Sequence, residues 1–433
     1  MNEDAQEKTL SYQAWTAANL HRIPQIQTLP AEQRLAIRTV AQVLPFRVNS
    51  FVVDELIDWD CVPDDPMFRL TFPQREMLAP ADFTQLRDLL VRDAPKAELR
   101  AVVDRIRADL NPHPGGQKDE NVPSLDGRPV PGMQHKYRET VLVFPSAGQT
   151  CHAYCTYCFR WAQFIGDKDL RFATKEISPV VAWLEANPQV SDVLLTGGDP
   201  MIMKTSVLRR YVEPLLKVAS VRTIRFGTKA LAWWPDRFLG DADSDDLMRL
   251  FEEIVASGRH LALMGHYSHP RELGTVLAEA AVRRVRGTGA VVRCQAPLIR
   301  SVNDDADTWA AMWRRQVALG AVPYYMFLAR DTGPRSYFEV PLARALDIYT
   351  DAISQVSGLA RTARGPTMSC TPGKVQVLGV VDSAAGRQFA LRFLQARDPA
   401  WVNRLFFADY DEDAAWLDHL QPSGSKGFFF ESA

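Results

Sequence analysis

What this chain has little of excludes several classes at once. An excess of either charge is missing: 50 Lys and Arg stand against 52 Asp and Glu over 433 residues. A net charge of −2 gives no electrostatic reason to expect a nucleic acid or an acidic membrane surface as partner. No apolar run approaches the ~20 residues that cross a bilayer. The opening Met1-Asn-Glu-Asp-Ala-Gln-Glu-Lys8 is acidic and has no apolar core, so it does not read as a secretory signal. Internal repeats and long low-complexity segments are missing too. Cysteine is scarce, with six in all, and Cys61, Cys294 and Cys370 stand singly.

The other three, Cys151, Cys155 and Cys158, fall within eight residues at the spacing Cx3Cx2C. Soft thiolates suit iron, and three on one short loop can hold three corners of a cubane iron–sulfur cluster. A ferredoxin needs a fourth cysteine nearby, and none is offered. Zinc is the alternative, but it wants four N/S ligands, and His152 is too close to Cys151 to complete a tetrahedron easily. A cluster with three protein ligands leaves one iron open to a small molecule. In this the loop resembles that of the radical S-adenosylmethionine (SAM) enzymes, whose open iron is chelated by SAM. Clustered thiols without a secretory signal point to the reducing cytoplasm.

At 433 residues the chain exceeds one ordinary domain, although a barrel with attached elements would use most of it. Residues 1–110 read as a helical region, with apolar residues at helical spacing over Pro30–Leu44, Phe83–Val91 and Leu99–Leu110. Residues 111–135 read as an arm or linker. There Pro112, Pro114, Pro123, Pro129 and Pro131, with Gly115, Gly116, Gly127 and Gly132, deny regular structure. From 136 to 374 strands and helices alternate. Strands are expected at Thr140–Pro145, Val193–Thr196, Thr223–Phe226, His260–Met264, Val291–Leu298 and Val322–Leu328. Helices are expected near Ile177–Ala186, Val207–Val218, Asp246–Ala256, Glu272–Val285 and Asp307–Leu319. That alternation predicts an α/β fold, a parallel sheet with crossover helices closed into a partial (β/α)6 barrel of the radical SAM kind. Polar residues after the strands sit where such barrels carry chemistry. Short apolar runs in 375–433 read as a small C-terminal appendage.

Thr196-Gly-Gly-Asp-Pro200 follows the second strand, and its glycines permit close approach of backbone to a ligand. More widely, the chain resembles the lysine 2,3-aminomutase family. The likeness runs through Leu44-Pro-Phe-Arg-Val, Leu56-Ile-Asp-Trp-Asp60, Val130-Pro-Gly-Met-Gln-His-Lys-Tyr137 and the cysteine loop. It continues in Thr196–Pro200, Gly265-His-Tyr-Ser-His-Pro270, Ile299-Arg-Ser-Val-Asn-Asp304 and Pro323-Tyr-Tyr325.

The resemblance implies a [4Fe–4S] cluster on Cys151, Cys155 and Cys158, SAM near Tyr157, Gly197, Gly198, Asp199, His266 and Gln295, and pyridoxal 5′-phosphate (PLP) carried on Lys374. Lys136, Tyr137 and Arg138 would hold the PLP phosphate, with Thr140 where the family has an arginine. Ser369-Cys-Thr-Pro-Gly-Lys374 is shorter than the family's glycine-rich loop. Arg160 matches the arginine that pairs with the substrate's α-carboxylate. Arg330 and, approximately, Cys370 stand where lysine-specific members carry aspartates, although Asp331 is adjacent.

An exchange of carboxylate for guanidinium would repel a lysine ammonium, so an acidic or neutral side chain is expected. The implied activity is conversion of an α-amino acid to a β-amino acid by a 5′-deoxyadenosyl radical, with electrons from a flavodoxin or ferredoxin and no nucleic-acid or membrane partner. A homo-oligomer is compatible with this. Two other readings stand beside it: a different radical reaction without PLP, and a non-catalytic iron–sulfur redox sensor. No cysteine follows Cys370, so the zinc-binding cysteines of some family members are missing. Cys61 and Cys294 are expected to be buried small hydrophobes.

Overall fold

The computed structural model describes residues 12–112, 120–166, 171–384 and 386–431. Pro114, Gly115, Gly116 and the opening segment Met1–Lys8 lie outside the described residues. Among the described residues fifteen strands occur in chain order: β1 (Ala14–Thr16), β2 (Arg47–Asn49), β3 (Ser124–Leu125), β4 (Arg128–Pro129), β5 (Met133–Tyr137), β6 (Thr140–Val143), β7 (Asp192–Leu195), β8 (Thr223–Thr228), β9 (His260–His266), β10 (Val291–Leu298), β11 (Val322–Leu328), β12 (Arg364–Ser369), β13 (Gly373–Ser383), β14 (Gly386–Ala396) and β15 (Leu405–Asp409).

Eleven of them form one sheet in unbroken sequence order from β5 to β15. From β6 to β12 every neighbouring pair is parallel; β5 at one end and β13, β14 and β15 at the other are antiparallel. The chain is thus α/β with a large, mainly parallel sheet.

Parallel strands need crossovers, and the sequence supplies them as amphipathic helices. Ser178–Ala186, Thr205–Leu216, Ser244–Ala256, Val276–Gly287, Ala306–Ala318 and Leu342–Ser354 run between successive strands. Ala306–Ala318 illustrates the local logic. Asp305 caps its first turn by accepting from Thr308 N at 2.7 Å, and Trp309 and Trp313 bury on one face with ring centroids 5.6 Å apart. Each such ring contributes about 2–3 kcal/mol by leaving water.

Strand residues alternate between this helix-covered core and the opposite face. Val193, Leu195, Ile224 and Phe226 are buried, whereas Asp192, Leu194 and Arg225 are only partly so. That second face is concave. The sheet curls until β5 meets the β12–β13 turn, where the Lys136 ammonium donates to the carbonyl oxygen of Cys370.

Several expectations need adjustment. The helix expected at Glu272–Val285 begins at Val276, because Gly274 interrupts the pattern and the Thr275 hydroxyl caps a new start, accepting from Ala278 N at 3.1 Å. A seventh parallel strand, β12, and the helix Leu342–Ser354 add a further crossover to the six expected strands. The division at 374/375 falls inside β13, and β13 to β15 extend the main sheet. Within the arm, Pro129 belongs to the short β3–β4 pairing. The N-terminal region is helical from Pro24 but also contains β1 and β2, paired antiparallel. Cys61 is exposed, with its thiol toward Asp58, while Cys294 is buried in β10. No helix among the described residues is long and apolar enough to cross a membrane.

Candidate active site

The cysteine loop follows β6 and is clamped from two sides. The N-terminal region supplies backbone acceptors: Tyr154 N donates to Arg47 O at 2.8 Å, and Thr156 N to Leu70 O at 2.9 Å. Arg47 itself donates to Cys151 O and to Thr150 Oγ1, each at 3.0 Å. From the other side comes the loop after β7. Asp199 N donates to Thr150 O at 2.8 Å, and a Cβ on Gly198 would lie 2.2 Å from that same oxygen. The close approach that Gly198 permits is therefore to the cysteine loop's own backbone.

Asp199 accepts from Met201 N at 2.9 Å, Lys229 N at 2.8 Å and the Thr228 hydroxyl at 2.8 Å. Burial works against its charge, yet these bonds and His152 hold its carboxyl below the usual range. His152 sits between Asp199 (Nε2 to Oδ2, 3.2 Å) and Asn49 (3.4 Å). Both of its nitrogens are spent there, which removes it as a fourth zinc ligand.

Cys151, Cys155 and Cys158 are free and half-buried. Burial raises all three thiols, Cys155 to about 12, and each of the other two adds to the rise at Cys151. Among the described residues no group of three His, Cys, Asp or Glu side chains is placed to hold a single metal ion. A cubane asks for something else, three thiolates each on its own iron, and soft donors on one sheltered loop suit it. Thiols raised in this way lose their protons on binding metal.

Tyr157 and His266 meet at the C-terminal end of β9, with Gln295 beside His266 in the middle of β10. The Tyr157 hydroxyl lies 3.0 Å from His266 Nε2 and 2.8 Å from Ser268 Oγ, and Gln295 pairs with His266 across the ladder. Burial, then the Lys229 ammonium, push His266 well below its ordinary value, so its ring is neutral. Lys229 forms a buried pair with Glu272 at 2.7 Å.

Lys374, on β13, points into the concave interior. Its ammonium nitrogen lies 4.1 Å from the Tyr325 ring centroid, 5.4 Å from Phe327 and 5.9 Å from Tyr137. Burial, then Arg225, Arg364 and Lys136, lower it to about 7. A lysine so depressed is a nucleophile near neutrality. Burial also lowers Lys136 to about 8 and raises Tyr137 to about 12.

Arg138 departs from expectation. It is exposed on the β5–β6 turn, at the end of β6 remote from the cysteine loop, because the hairpin reverses there. Arg364 instead shares a ring with Lys374, its guanidinium 4.4 Å from the Tyr325 centroid. A phosphate beside Lys374 would meet Lys136 and Arg364, and the donor set fits PLP on those terms.

A cavity of about 530 Å³ lies beside both groups, reached by Lys136 and Tyr137 but lined by neither the three cysteines nor Lys374. Phe159 and Arg160 of the cysteine loop line it together with Thr196, Lys136, Cys370 and Arg330. Arg160 packs over Phe144 at 4.2 Å and bonds Gln163, while its buried Nε makes no hydrogen bond. Burial lowers its pKa to about 10. Arg330 also lines the cavity, with its Nε 3.6 Å from Asp331. Arg47, Lys229 and Arg364 escaped sequence reasoning. Only Arg47 carried a signal, its place within Leu44–Val48.

No protein-family model matches the chain. Among curated proteins, a "Putative L-lysine 2,3-aminomutase" of Aquifex aeolicus is 30% identical over 394 residues, 91% of this chain and 92% of that protein. A second protein of that organism with the same name is 26% identical over 67% of this chain and 75% of its own length. The L-lysine 2,3-aminomutase of Acetoanaerobium sticklandii is 26% identical over 58% of this chain and 57% of its own. With likeness sustained over nine-tenths of the sequence, the chain belongs to the L-lysine 2,3-aminomutase family.

Proposed function

We propose that this protein is a radical SAM, PLP-dependent amino-acid 2,3-aminomutase whose substrate carries an acidic or neutral side chain, and that its parallel arc of strands is the partial radical SAM barrel. One observation carries the reading: a single cavity is lined by Phe159 and Arg160, immediately after the cysteine loop, and by Ser369, Cys370 and Thr371, the turn before Lys374. A volume of about 530 Å³ suits an amino acid together with its cofactors' reactive ends.

When bound, the cluster with SAM supplies a carbon radical that removes hydrogen from the substrate, and PLP supplies the π-system over which nitrogen moves from C2 to C3. The chain's own part is binding and orientation. Arg160 offers a guanidinium fork to the α-carboxylate from beside Cys158. Lys374, neutral above about pH 7, presents a free amine in a site walled by Tyr325 and Phe327. Lys136 and Arg364 face a phosphate. Arg330 sets the charge met by the substrate's far end, moderated by Asp331. Electrons come from a low-potential donor of the flavodoxin or ferredoxin kind, and the cytoplasm suits the thiols.

A second reading, a radical reaction without PLP, draws support from two features. The β12–β13 turn is tight, with Cys370 N donating to Gly373 O at 2.9 Å, and Arg138 lies apart from Lys374. Visible spectra of anaerobically purified protein separate the two. A PLP band above the broad cluster absorption, lost in Lys374→Ala, supports the first reading, and its absence after incubation with PLP supports the second.

A further inference from the structure

Lys374 does not meet its neighbour on β14 by ordinary strand alternation. Val375 pairs with Phe393, Gln376 with Arg392 and Val377 with Leu391, so an unbroken ladder would set Leu394 opposite Lys374. The register instead shifts between Lys374 and Val375, and Gln395 takes that place. A bulge re-aims a side chain, and this one exchanges an apolar neighbour for an amide.

Gly373 permits the exchange. A Cβ there would lie 2.4 Å from Gln395 O, 2.8 Å from Phe393 Cδ1 and 2.9 Å from Ala396 Cα. The same end of β14 is tied to the turn before Lys374. Arg397 N donates to Pro372 O at 3.0 Å, and Arg397 Nε to Thr371 O at 2.7 Å. The outcome is a hydrogen bond from Lys374 Nζ to Gln395 Oε1 at 2.9 Å.

The other elements around the amine present rings and cations. Tyr325 and Phe327 of β11 and Tyr137 of β5 supply the rings. Lys136 of β5, Arg225 of β8 and Arg364 of β12 supply charge of the same sign. Asp192 of β7 is engaged by Arg225, whose Nε donates to it at 2.7 Å. A neutral acceptor in that setting does two things. It fixes the direction of one N–H, which leaves the lone pair of the free amine open. It also adds no charge, whereas a carboxylate in its place would favour the ammonium.

We propose that Gln395, brought opposite Lys374 by the β14 bulge, is the positioning residue that aims the lysine amine through a neutral hydrogen bond. The inference rests on the reading of Lys374 as the PLP lysine and deepens it. The step it serves is common to aldehydes. The lone pair on Nζ attacks the carbonyl carbon, a C=N bond forms, and the oxygen leaves as water with the two amine hydrogens.

The test uses full-length wild type, Gln395→Glu and Gln395→Met. Each is treated with PLP, and separately with formaldehyde, across a pH series, trapped with borohydride and mapped by peptide mass at Lys374. Gln395→Glu should raise the midpoint of both profiles by about 1–2 pH units, because an adjacent opposite charge favours the ammonium. Gln395→Met should slow labelling about fivefold above the midpoint, the loss of one orienting hydrogen bond, without raising the midpoint.

Coincident profiles in wild type and Gln395→Glu, with circular dichroism unchanged, would overturn the proposal. Wild-type rates in Gln395→Met would overturn it too. Gln395→Glu keeps the size and reach of the side chain, so it reads the contact even where Gln395→Met fails to fold. A midpoint raised in that variant is a change that a merely structural residue would not give. A shift seen with formaldehyde, while PLP fails to label Lys374 in the wild type, supports the hold on the amine and overturns the PLP reading beneath it.

Discussion

Lys374 donates a hydrogen bond from Nζ to Gln395 Oε1 at 2.9 Å, across the β13–β14 ladder that sets the two residues opposite each other. The amide neutralises nothing. The amine thus sits among aromatic rings and other cations, with no carboxylate of the described residues bonded to it, and burial leads its fall to about 7.

A pH profile follows from this. Below about 7 the amine is protonated and inert; above it the amine is neutral and reacts. Borohydride trapping of PLP, mapped by peptide mass, should label Lys374 with a midpoint near 7 rather than near the 10.5 of free lysine. Labelling of another lysine would contradict the assignment. Because the folded value lies below the unfolded one, the unfolded chain binds the extra proton between those two values. This group's contribution to stability therefore rises from pH 7 toward pH 10.5, which denaturation at pH 7 and 9 can check.

Gly198→Ala should damage the cluster site by a backbone clash, since its Cβ would meet Thr150 O at 2.2 Å and Thr150 C at 2.5 Å. A loss of about 1–3 kcal/mol is expected, with iron content falling alongside. Gly287→Ala is the control, because a Cβ there meets nothing within 4 Å. Its stability should be unchanged or slightly raised in thermal melts.

Replacing Cys151, Cys155 or Cys158 with Ala should abolish cluster assembly, because each supplies one of three thiolates. Iron analysis and the visible spectrum report it directly. Cys61→Ala should be silent, its residue being exposed. The Cys294→Ala variant should keep the cluster and lose about 1 kcal/mol from its buried site.

Substrate choice should follow Arg330. Lysine should be converted more slowly than glutamate or a neutral amino acid, and Arg330→Asp should shift preference toward lysine by roughly tenfold. The effect is kept modest because Asp331 and partial solvent exposure screen the guanidinium. A panel of amino acids scored by mass for β-amino product tests it. Efficient conversion of lysine by wild type would mean that Asp331 makes the contact.

All six expected strands exist because each is a short apolar run ending in turn residues, a local signal. The strand β12 was hidden because Arg364-Gly-Pro-Thr-Met-Ser369 reads as a turn. Its Gly365 is needed where a Cβ would come 2.6 Å from Met326 Cβ, a contact known only from the packed sheet. The cysteines were legible by spacing, and so was their loop. Its clamps were not, because the Arg47–Cys151 and Leu70–Thr156 contacts join segments that only the fold brings together. Sequence neighbours place Arg138 with Lys136, yet it lies exposed on the β5–β6 turn. Lys229 follows a strand with no motif around it, and its importance lies wholly in Glu272 and Ser268.

The most direct measurement is release of 5′-deoxyadenosine from SAM by the reconstituted, reduced protein in the presence of an amino-acid panel. The account predicts release that requires reductant and disappears in Cys155→Ala, together with a β-amino product from at least one acidic or neutral amino acid. A protein that carries its full complement of iron yet releases no 5′-deoxyadenosine with any member of the panel would contradict it.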